Sequence, residues 1–408
     1  MPSLDATVSI VNLDLIQTLA LASVVYYAGV LIRRRVGFLD RLNIPSAVVG
    51  GLLFAALVLV ARDRVLNIEF DTSAQPLFMV AFFTTIGMSA SLPLLKKGGS
   101  QVLIFLIIST VFCFVQNFLG IGISLAFGVN VFLGVIAGSV TLVGGPATGM
   151  AFAPLFKEAG VVGADTLAMT AATFGIVCGG IVGGPIGTWL IKRHHPDRHA
   201  SGSANGALVN SQPAVLTVEV DREDSSLMLS MIVAAIAMGL GSIVSFYFNS
   251  LGWTLPAYIG AMLVASLLRN IDDYKGWLKI DQAAMEIIGT ISLNVFLTVA
   301  LMNLRLWELV HLFLPLLVIL IAQVLVVGVF SATISYRVMG KDYESAVIAS
   351  GFIGFVMGTT ANAVANMKTL VTKYGAAPRA FLVVPMVGAF FIDFTNALII
   401  TFFLNWLR

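Results

Sequence analysis

The sequence predicts an all-α polytopic membrane protein built as an inverted repeat, in which each half contributes five transmembrane helices and one re-entrant hairpin. Three observations lead to this fold class: an extremely apolar composition, two series of apolar segments of spanning length, and motifs that recur at a constant offset. Of 408 residues, 58% are apolar and 11% are charged, and the mean hydropathy is +0.97. A water-soluble domain of this length could not carry such a composition on its surface, so lipid is the main solvent.

The composition also excludes other classes of protein. A net charge of +2, without a Lys/Arg-rich run among aromatic residues, excludes a nucleic-acid partner. Cys113 and Cys178 lie in apolar segments without metal-ligand spacing, which is typical of small side chains packed in a helix bundle. Residues 1–12 contain one acidic residue and no Lys or Arg, so they lack the basic region of a cleaved signal peptide. We expect the first apolar segment to stay in the mature protein.

The apolar segments fall into two series of six, judged against a spanning length of about 20 residues. The first series lies at 15–32, 45–61, 76–95, 101–127, 133–155 and 166–191. The second lies at 227–248, 255–268, 286–304, 309–336, 346–366 and 380–405. A polar stretch between them has the composition of a flexible linker. The chain therefore divides into an N-terminal membrane repeat (1–191), a linker (192–226) and a C-terminal membrane repeat (227–408).

Matching motifs indicate that the two halves are repeats. Residues 43–50 resemble residues 254–260, and each motif places a proline at the start of a helix, where its missing N–H costs nothing. A constant offset of 213 links further pairs: Gly138 with Gly351, Val143 with Val356, Gly145 with Gly358, Gly175 with Gly388 and Thr188 with Thr401. Internal repeats of this kind are a hallmark of secondary transporters.

The fifth segment of each half predicts a re-entrant hairpin instead of a straight span. Residues 133–155 contain five glycines and two prolines, centred on Val143 to Gly149, and a continuous helix is incompatible with this composition. Residues 346–366 carry three glycines followed by a polar run from Thr359 to Asn362. Both segments are expected to dip into the membrane and return to the same side.

The distribution of positive charge favours these hairpins, because Lys and Arg concentrate in cytoplasmic loops. With the chain starting outside and each hairpin returning to its own side, 18 of the 23 Lys and Arg residues are cytoplasmic. With both hairpins crossing fully, the count is 11 inside and 12 outside. Each half then has five spans, so the second half is inserted upside down. Both termini are expected to be extracytoplasmic and the 192–226 linker cytoplasmic.

Four stretches of the sequence resemble the bacterial sodium/glutamate symporter family: residues 82–89, Gly134–Phe152, Gly351–Met367 and Val383–Asn396. The resemblance covers nearly the whole chain. It implies sodium-coupled uptake of glutamate across the bacterial inner membrane by a homodimer, with a hairpin-bearing core that moves against a fixed scaffold. In the first hairpin the family pattern reads Gly-Gly-His-Gly-Thr, whereas this chain has Pro146 and Ala147 at the third and fourth positions. Aspartate and citrate-like acids therefore stay open as alternative substrates.

Polar residues inside the apolar segments are the candidate sodium ligands, because an unpaired charge or amide in hydrocarbon is costly and marks a pathway. Asp393 is the acid near the centre of the last predicted span, and its carboxylate suits a hard cation such as sodium. The alternative is a structural hydrogen bond to another helix. The sodium-site candidates are Asp393, Asn396, Asn362, Thr360, Thr84, Thr85 and Asn294.

The two hairpins supply the candidate substrate site. A broken helix exposes N–H groups to an anion, and paired glycines let a carboxylate approach the backbone. The alternatives are amides that cap the broken helix ends and glycines that permit close helix packing. The substrate-site candidates are Ser139, Thr141, Gly144, Gly145, Thr148, Gly149, Thr359, Thr360 and Asn366, with Arg379 as a minor candidate.

The sequence predicts a transporter and not an enzyme, with sodium and no transition metal as the bound ion. Intramembrane hydrolases need a nucleophile with a base, or a metal with His or Asp ligands, at membrane depth. His194, His195 and His199 lie in the linker and His311 lies at a helix end, so no catalytic set can be assembled. An ion channel is the alternative class, because broken helices and hairpins also build ion filters.

Overall fold

The computed structural model describes residues 9–62, 64, 66–194, 223–251, 256–277, 280–309, 312–388 and 390–407 of the chain. The described part is nearly all helical. Most of the predicted linker lies outside the described residues, as do His195, His199 and His311. Proline begins helices in both halves as predicted, since Pro45 and Pro256 are the N-cap residues of equivalent helices.

The described residues of the first half form eight α-helices, two short strands and one π-helical turn. In chain order these are β1 (Ser9–Leu13), α1 (Leu15–Arg35), α2 (Gly37–Arg41), α3 (Ser46–Ala61), β2 (Leu66–Phe70), α4 (Gln75–Met88), α5 (Leu92–Ala126), α6 (Phe132–Val135), the π turn (Ile136–Val140), α7 (Gly145–Glu158) and α8 (Ala164–His194).

The second half follows the same order of long helices and hairpin. It consists of α9 (Glu223–Ser250), α10 (Ala257–Lys275), α11 (Gln282–Met302), a 3-10 turn (Leu306–Leu309), α12 (Phe313–Phe330), a second π turn (Ser331–Ser335), α13 (Tyr336–Val338), α14 (Tyr343–Val356), α15 (Thr360–Tyr374), α16 (Pro378–Gly388) and α17 (Phe391–Trp406).

The helices confirm a polytopic membrane protein. Six described segments are long and apolar enough to cross a bilayer: α1, Gly99–Ala126 of α5, α8, Ser226–Ser250 of α9, α11 and Phe313–Val338. The pair α16 and α17, bent by 44°, is a seventh candidate when taken together. Three further helices, α3, α4 and α14, are apolar but shorter than a full span.

The structure corrects several predicted boundaries. The segment predicted at 380–405 is not one helix, because α16 contains Pro385 and ends at Gly388, and α17 begins anew at Phe391. The short segment predicted at 255–268 extends to Lys275, where Gly276 ends it with a φ of 64°. The second hairpin likewise extends beyond the predicted 346–366.

Two short strands are an exception to the predicted all-α architecture. β1 and β2 form a two-stranded parallel sheet, with Ser9 opposite Leu66 and Leu13 opposite Phe70. The strands are five residues long and are joined through α1 and α3, so their pairing depends on a contact distant in sequence. An apolar run of that length does not by itself separate strand from helix.

The long helices form two groups. The flanking group consists of α1, α3, α4, α9, α10 and α11, which pack on one another. The hairpin group consists of α5 to α8 and α12 to α17, which pack around the hairpins. Close helix contacts in the flanking group use glycine in both halves, since Gly29 lies against Gly50 and Gly241 lies against Gly260 and Ala261.

Candidate functional site

Two helical hairpins form the centre of the hairpin group. In hairpin 1 (residues 132–158), α6 and the π turn lead inward and α7 leads back, and Asn130 Nδ2 donates to the Ala159 carbonyl at 3.4 Å. In hairpin 2 (residues 343–374), α14 leads inward and α15 leads back, and the Tyr343 hydroxyl donates to the Gly375 carbonyl. In each case the first and last residues lie together, so each hairpin begins and ends at the same point.

The tips of the two hairpins meet. Gly145 has a φ of 66°, which favours glycine, and a Cβ atom at this position would lie 3.5 Å from the Gly358 carbonyl oxygen. Gly145 begins α7, and Thr360 begins α15, whose Asn362 N–H donates to the Thr359 hydroxyl at 3.3 Å. Two helix N-termini, with their partial positive charge, therefore lie at this meeting point.

The meeting point is open on one side. Gly144, Thr359 and Thr360 are half-buried, and Ala361 is exposed. Pro146 and Thr148 on the first hairpin are buried. An anion that reached the tips would meet backbone N–H groups of both hairpins, which is the arrangement that helix N-termini use for phosphates and carboxylates.

Helix α8 holds hairpin 2 through three hydrogen bonds. Asn362 Nδ2 donates to the Ile176 carbonyl at 2.8 Å, and Asn366 Nδ2 donates to the Gly179 carbonyl at 2.8 Å. The Ser350 hydroxyl donates to Gly183 at 2.9 Å. These donors are committed to α8, whereas Asn362 Oδ1 is buried and finds no hydrogen-bond partner among the described residues.

Asp393 lies in the first turn of α17, directly after the break between α16 and α17. Asp393 was predicted near the centre of the last span; the pair of helices that forms this candidate span is bent by 44° just before it. Among the ion pairs of the described residues, none joins Asp393 to Lys or Arg. A carboxylate at a helix N-terminus is favourable, but it leaves one negative charge without a cationic partner.

The helix break lies beside both hairpins. On one side, the Thr360 hydroxyl of hairpin 2 donates to the Gly388 carbonyl at 3.4 Å. On the other, Asn396, one turn after Asp393, donates from Nδ2 to the Ser139 carbonyl of hairpin 1 at 2.9 Å. The structure thus brings Ser139, predicted for substrate, into contact with Asn396, predicted for sodium.

Three predicted sodium ligands lie in the flanking group. The hydroxyl groups of Thr84 and Thr85 donate to Val80 and Phe82 of their own helix, each at 2.7 Å. Asn294 donates to Thr290 at 2.8 Å and lines a groove of about 400 Å³ with Leu19, Tyr26 and Phe78. Among the described residues, no hydrogen bond joins Thr84, Thr85 or Asn294 to Asp393. Their intrahelical hydrogen bonds favour the structural alternative.

Two predicted substrate residues serve the interior of hairpin 1. The Thr141 hydroxyl is buried and donates to the Ile136 carbonyl at 2.7 Å. A Cβ atom at Gly149 would lie 3.1 Å from Ala168 and 3.2 Å from Thr141, so this glycine permits close packing. Gly144 lies in the same way against Thr148.

Arg379 is not available for a substrate carboxylate. Its Nη2 lies 2.6 Å from the carboxylate of Asp342, the N-cap of α14. Burial raises the pKa of Asp342, but the hydrogen bonds from Ser345 and Arg379 outweigh it, and the net pKa lies below the ordinary value. Arg379 therefore fixes the start of hairpin 2.

Three buried amides, Gln116, Asn117 and Gln323, form hydrogen bonds between helices. Gln116 Nε2 donates to Val356 at 3.0 Å, Asn117 Oδ1 accepts from the Ser139 N–H at 2.9 Å, and Gln323 Nε2 donates to the Gln116 carbonyl at 2.8 Å. The contact of Gln116 with hairpin 2 and of Asn117 with hairpin 1 was missed at the sequence level. Its signal was the pair of adjacent amides on an apolar helix.

The described residues contain no group of three or more His, Cys, Asp or Glu side chains that could hold a metal ion. The helix break and the turn that follows it carry the Asp393 carboxylate, the Asn396 amide and the Gly388 carbonyl, with the Thr360 hydroxyl bonded to Gly388. Such a donor set suits a hard cation.

Comparisons with known proteins point to one family. The family model for "Sodium/glutamate symporter" matches residues 11–376. Sodium/glutamate symporters of Escherichia coli (strain K12) and Shigella flexneri are each 39% identical to this chain over 399 residues, covering 96% of the chain and 98% of the relative. The sodium/glutamate symporter of Haemophilus influenzae is 37% identical over 385 residues, covering 93% of the chain and 95% of the relative.

Proposed function

The chain belongs to the sodium/glutamate symporter family, and we propose that it takes up glutamate together with sodium across the bacterial inner membrane. One observation carries the proposal: Asp393 lies at a helix break beside both hairpins, without an ion pair to Lys or Arg among the described residues. A carboxylate in a poorly solvated site is costly unless a cation lies nearby. Sodium is the coupling ion that the relatives' names contain.

The proposed sodium site contains Asp393 with oxygen atoms from three neighbours. Asn396 and Asn362 each have a buried Oδ1 atom without a hydrogen-bond partner in the described part of the chain. Thr360 lies against Gly388 at the break. Together these groups supply a negative charge and neutral oxygens, which is what a hard monovalent cation requires.

The proposed glutamate site lies at the meeting point of the hairpin tips. The N-termini of α7 and α15 offer N–H groups to a carboxylate of the substrate, and Gly144 and Gly145 allow close approach. Thr359 and Thr360 add hydroxyl groups from the other hairpin. The sodium ion beside this site would add the positive charge that the hairpin side chains lack.

We propose an inverted repeat for the membrane topology. Residues that the charge distribution assigns to the outside contact one another, as β1 with β2 and Arg62 with Trp307. Residues assigned to the cytoplasm do the same, as Asp342 with Arg379. Each hairpin also begins and ends at one point, which supports re-entrance. The termini would then be extracytoplasmic and the linker cytoplasmic.

The division into two helix groups supports alternating access. The hairpin group holds both tips and Asp393, so its displacement against the flanking group would carry both ligands across the membrane. Aromatic rings form part of the boundary, since Phe152 of α7 and Phe83 of α4 both contact Tyr258 of α10. In a homodimer, the flanking groups of the two subunits would form the scaffold that stays fixed during transport.

Uptake into proteoliposomes tests this function. An inward sodium gradient should accumulate labelled glutamate above its external concentration, and a potassium gradient of the same size should not. Aspartate and citrate, tested in parallel, decide the substrate class. If sodium drives the accumulation of aspartate or citrate but not of glutamate, the proposed substrate is wrong. Flux of glutamate without accumulation would contradict a carrier and indicate a channel.

A further inference from the structure

Two adjacent amides on α5, Gln116 and Asn117, contact both hairpins just before their tips. Gln116 donates to Val356, the last residue of α14 in hairpin 2. Asn117 accepts from the backbone N–H of Ser139 in hairpin 1. Both amide side chains are fully buried. A single helix turn of α5 therefore fixes both hairpins relative to each other.

Ser139 is held from two sides at a break in its own helix. Gly138 before it has non-helical angles, with φ −101° and ψ −132°. The Ser139 N–H donates to Asn117 of α5 at 2.9 Å, and its carbonyl accepts from Asn396 of α17 at 2.9 Å. Two side chains from different halves of the molecule thus bind the backbone of one residue, and the Asn396 contact adds to a carbonyl that also accepts from the Val143 N–H at 3.3 Å.

We propose that Asn117 is a positioning residue for cation coupling: it fixes Ser139 against Asn396, so that a cation bound at Asp393 is linked to hairpin 1. The inference rests on the proposed sodium site. It adds Ser139 to that site as an oxygen donor and assigns to Asn117 a role in the response of the glutamate site to sodium.

Buried polar atoms without partners support this assignment. In the part of the chain that the structure describes, Asn117 Nδ2, Ser139 Oγ and Asn396 Oδ1 make no hydrogen bond. All three residues are fully buried, and leaving such atoms unpaired in a low-dielectric interior is costly. Asn396 Oδ1 and Ser139 Oγ can bind a cation or its water, and Asn117 Nδ2 can donate to a carboxylate or water.

The orientation of each amide is fixed by its other hydrogen bond. Because Asn117 Oδ1 accepts from an N–H group, its Nδ2 is the free end. Because Asn396 Nδ2 donates to a carbonyl, its Oδ1 is the free end. The free oxygen of Asn396 lies on the same helix as Asp393, one turn away. Asn396 therefore touches hairpin 1 with one end and offers the cation site the other.

The coupling follows from this shared side chain. A cation that binds Asn396 Oδ1 fixes the amide plane, which fixes Nδ2 on the Ser139 carbonyl. Ser139 in turn precedes the tip, and its carbonyl also accepts from the N–H of Gly144 at 3.0 Å. Sodium would thereby order the tip that receives the substrate, and the order would be lost if Asn117 released Ser139.

The test measures labelled-glutamate binding to the purified full-length protein over a series of sodium concentrations. Asn117→Leu removes both hydrogen-bonding ends, and we expect the factor by which sodium increases glutamate affinity to fall about fivefold, the effect of one neutral hydrogen bond. Asn117→Asp keeps an oxygen for the Ser139 N–H and should preserve most of the factor. Asn405→Leu, which removes an amide bonded within α17, is the matched control.

Ser139→Ala keeps the backbone contacts and removes only the hydroxyl, so it serves if Asn117→Leu does not fold. It should raise the sodium concentration for half-maximal glutamate binding. An unchanged coupling factor in Asn117→Leu, or an unchanged sodium requirement in Ser139→Ala, would overturn this inference. The proposed sodium coupling would be unaffected by either result. Wild-type protein that binds glutamate independently of sodium would instead overturn the proposed sodium coupling.

Discussion

A negative charge inside a membrane protein needs a compensating group, and Asp393 shows how this chain supplies part of it. Its place in the first turn of α17 gives the carboxylate a favourable helix terminus, which is weaker than a full positive charge. Asn396 and Thr360 place polar atoms around the break without adding charge. In the proposed function, a mobile cation is the partner of Asp393.

Replacing Asp393 by Asn tests this requirement. The variant keeps an oxygen and loses the charge, and we expect the sodium concentration for half-maximal glutamate uptake to rise about tenfold or more, since interactions with charged groups contribute roughly 1.5–3 kcal/mol. Uptake kinetics in proteoliposomes at a series of sodium concentrations measure it. Asp273→Asn, which removes the carboxylate paired with Arg269 in α10, should leave the requirement unchanged. Wild-type sodium dependence in Asp393→Asn would show that this carboxylate is structural.

From the sequence alone, individual site residues could be recognised only by their polar side chains, and not by their position in a shared site. Asp393, Asn362 and Asn396 stand out because polar groups are rare in apolar segments. Which of them share a site depends on contacts between helices far apart in the chain, such as Asn396 with Ser139. Asn294 has the same chemistry, yet it lies in a groove of the flanking group. Composition cannot separate these two cases.

At the scale of elements, the two hairpins place two helix N-termini at one point. Gly145 allows the tips to touch, and Ala361 marks the exposed side of the contact. Glycines and prolines predicted hairpin 1, and glycines followed by a polar run predicted hairpin 2, because such residues interrupt helices. The same reasoning missed the break at 388–391, since one proline and one glycine in an apolar segment are compatible with a kinked continuous helix.

A cysteine at the exposed tip tests occupation of this point. In a variant without Cys113 and Cys178, Ala361→Cys should react with a thiol reagent, and glutamate with sodium should slow the reaction because substrate covers the tip. Thr369→Cys, exposed on the same helix but two turns further on, is the control that substrate should not protect. Labelling rates with and without glutamate are compared. Equal rates at position 361 in a variant that still transports would place the substrate elsewhere.

The start of hairpin 2 gives a prediction about stability and pH. Asp342 caps α14 and pairs with Arg379, so Asp342→Ala should lower the free energy of unfolding by about 1–2 kcal/mol, as for other N-caps. Because the folded-state pKa of Asp342 lies below its ordinary value, the stabilisation is present above pH about 4 and is lost as pH falls through the folded pKa. Thermal unfolding of wild type and Asp342→Asn over this range measures it. A stability difference that persists at low pH would contradict the ionic contribution.

For the whole molecule, composition was sufficient to predict a polytopic membrane protein, whereas the two inverted halves stay a prediction. The order of helices in the second half follows that of the first, and equivalent prolines begin α3 and α10. The strand pair between β1 and β2 could not be predicted, because its register depends on tertiary packing. Nor does sequence alone show which helices join the flanking group, since all long helices are similarly apolar.

The inverted topology predicts opposite accessibility for two exposed positions, one in a loop and one near the end of α15. Ser73, between β2 and α4, should face outside, and Thr372, at the end of hairpin 2, should face the cytoplasm. Cysteines at these positions, in a background without native cysteines, are treated in whole cells with a membrane-impermeant thiol reagent. Ser73→Cys should react and Thr372→Cys should react only after permeabilisation. Equal reaction of both in intact cells would contradict re-entrance of hairpin 2.

Reciprocal binding of sodium and glutamate tests the central claim most directly. If both ligands occupy neighbouring sites in the hairpin group, sodium must raise glutamate affinity, and glutamate must raise sodium affinity by the same factor. Equilibrium binding of each ligand to the purified protein, at several fixed concentrations of the other, measures both factors. The account predicts equal factors well above one in wild type and a factor near one in Asp393→Asn. Glutamate affinity that does not change with sodium in wild type would contradict it.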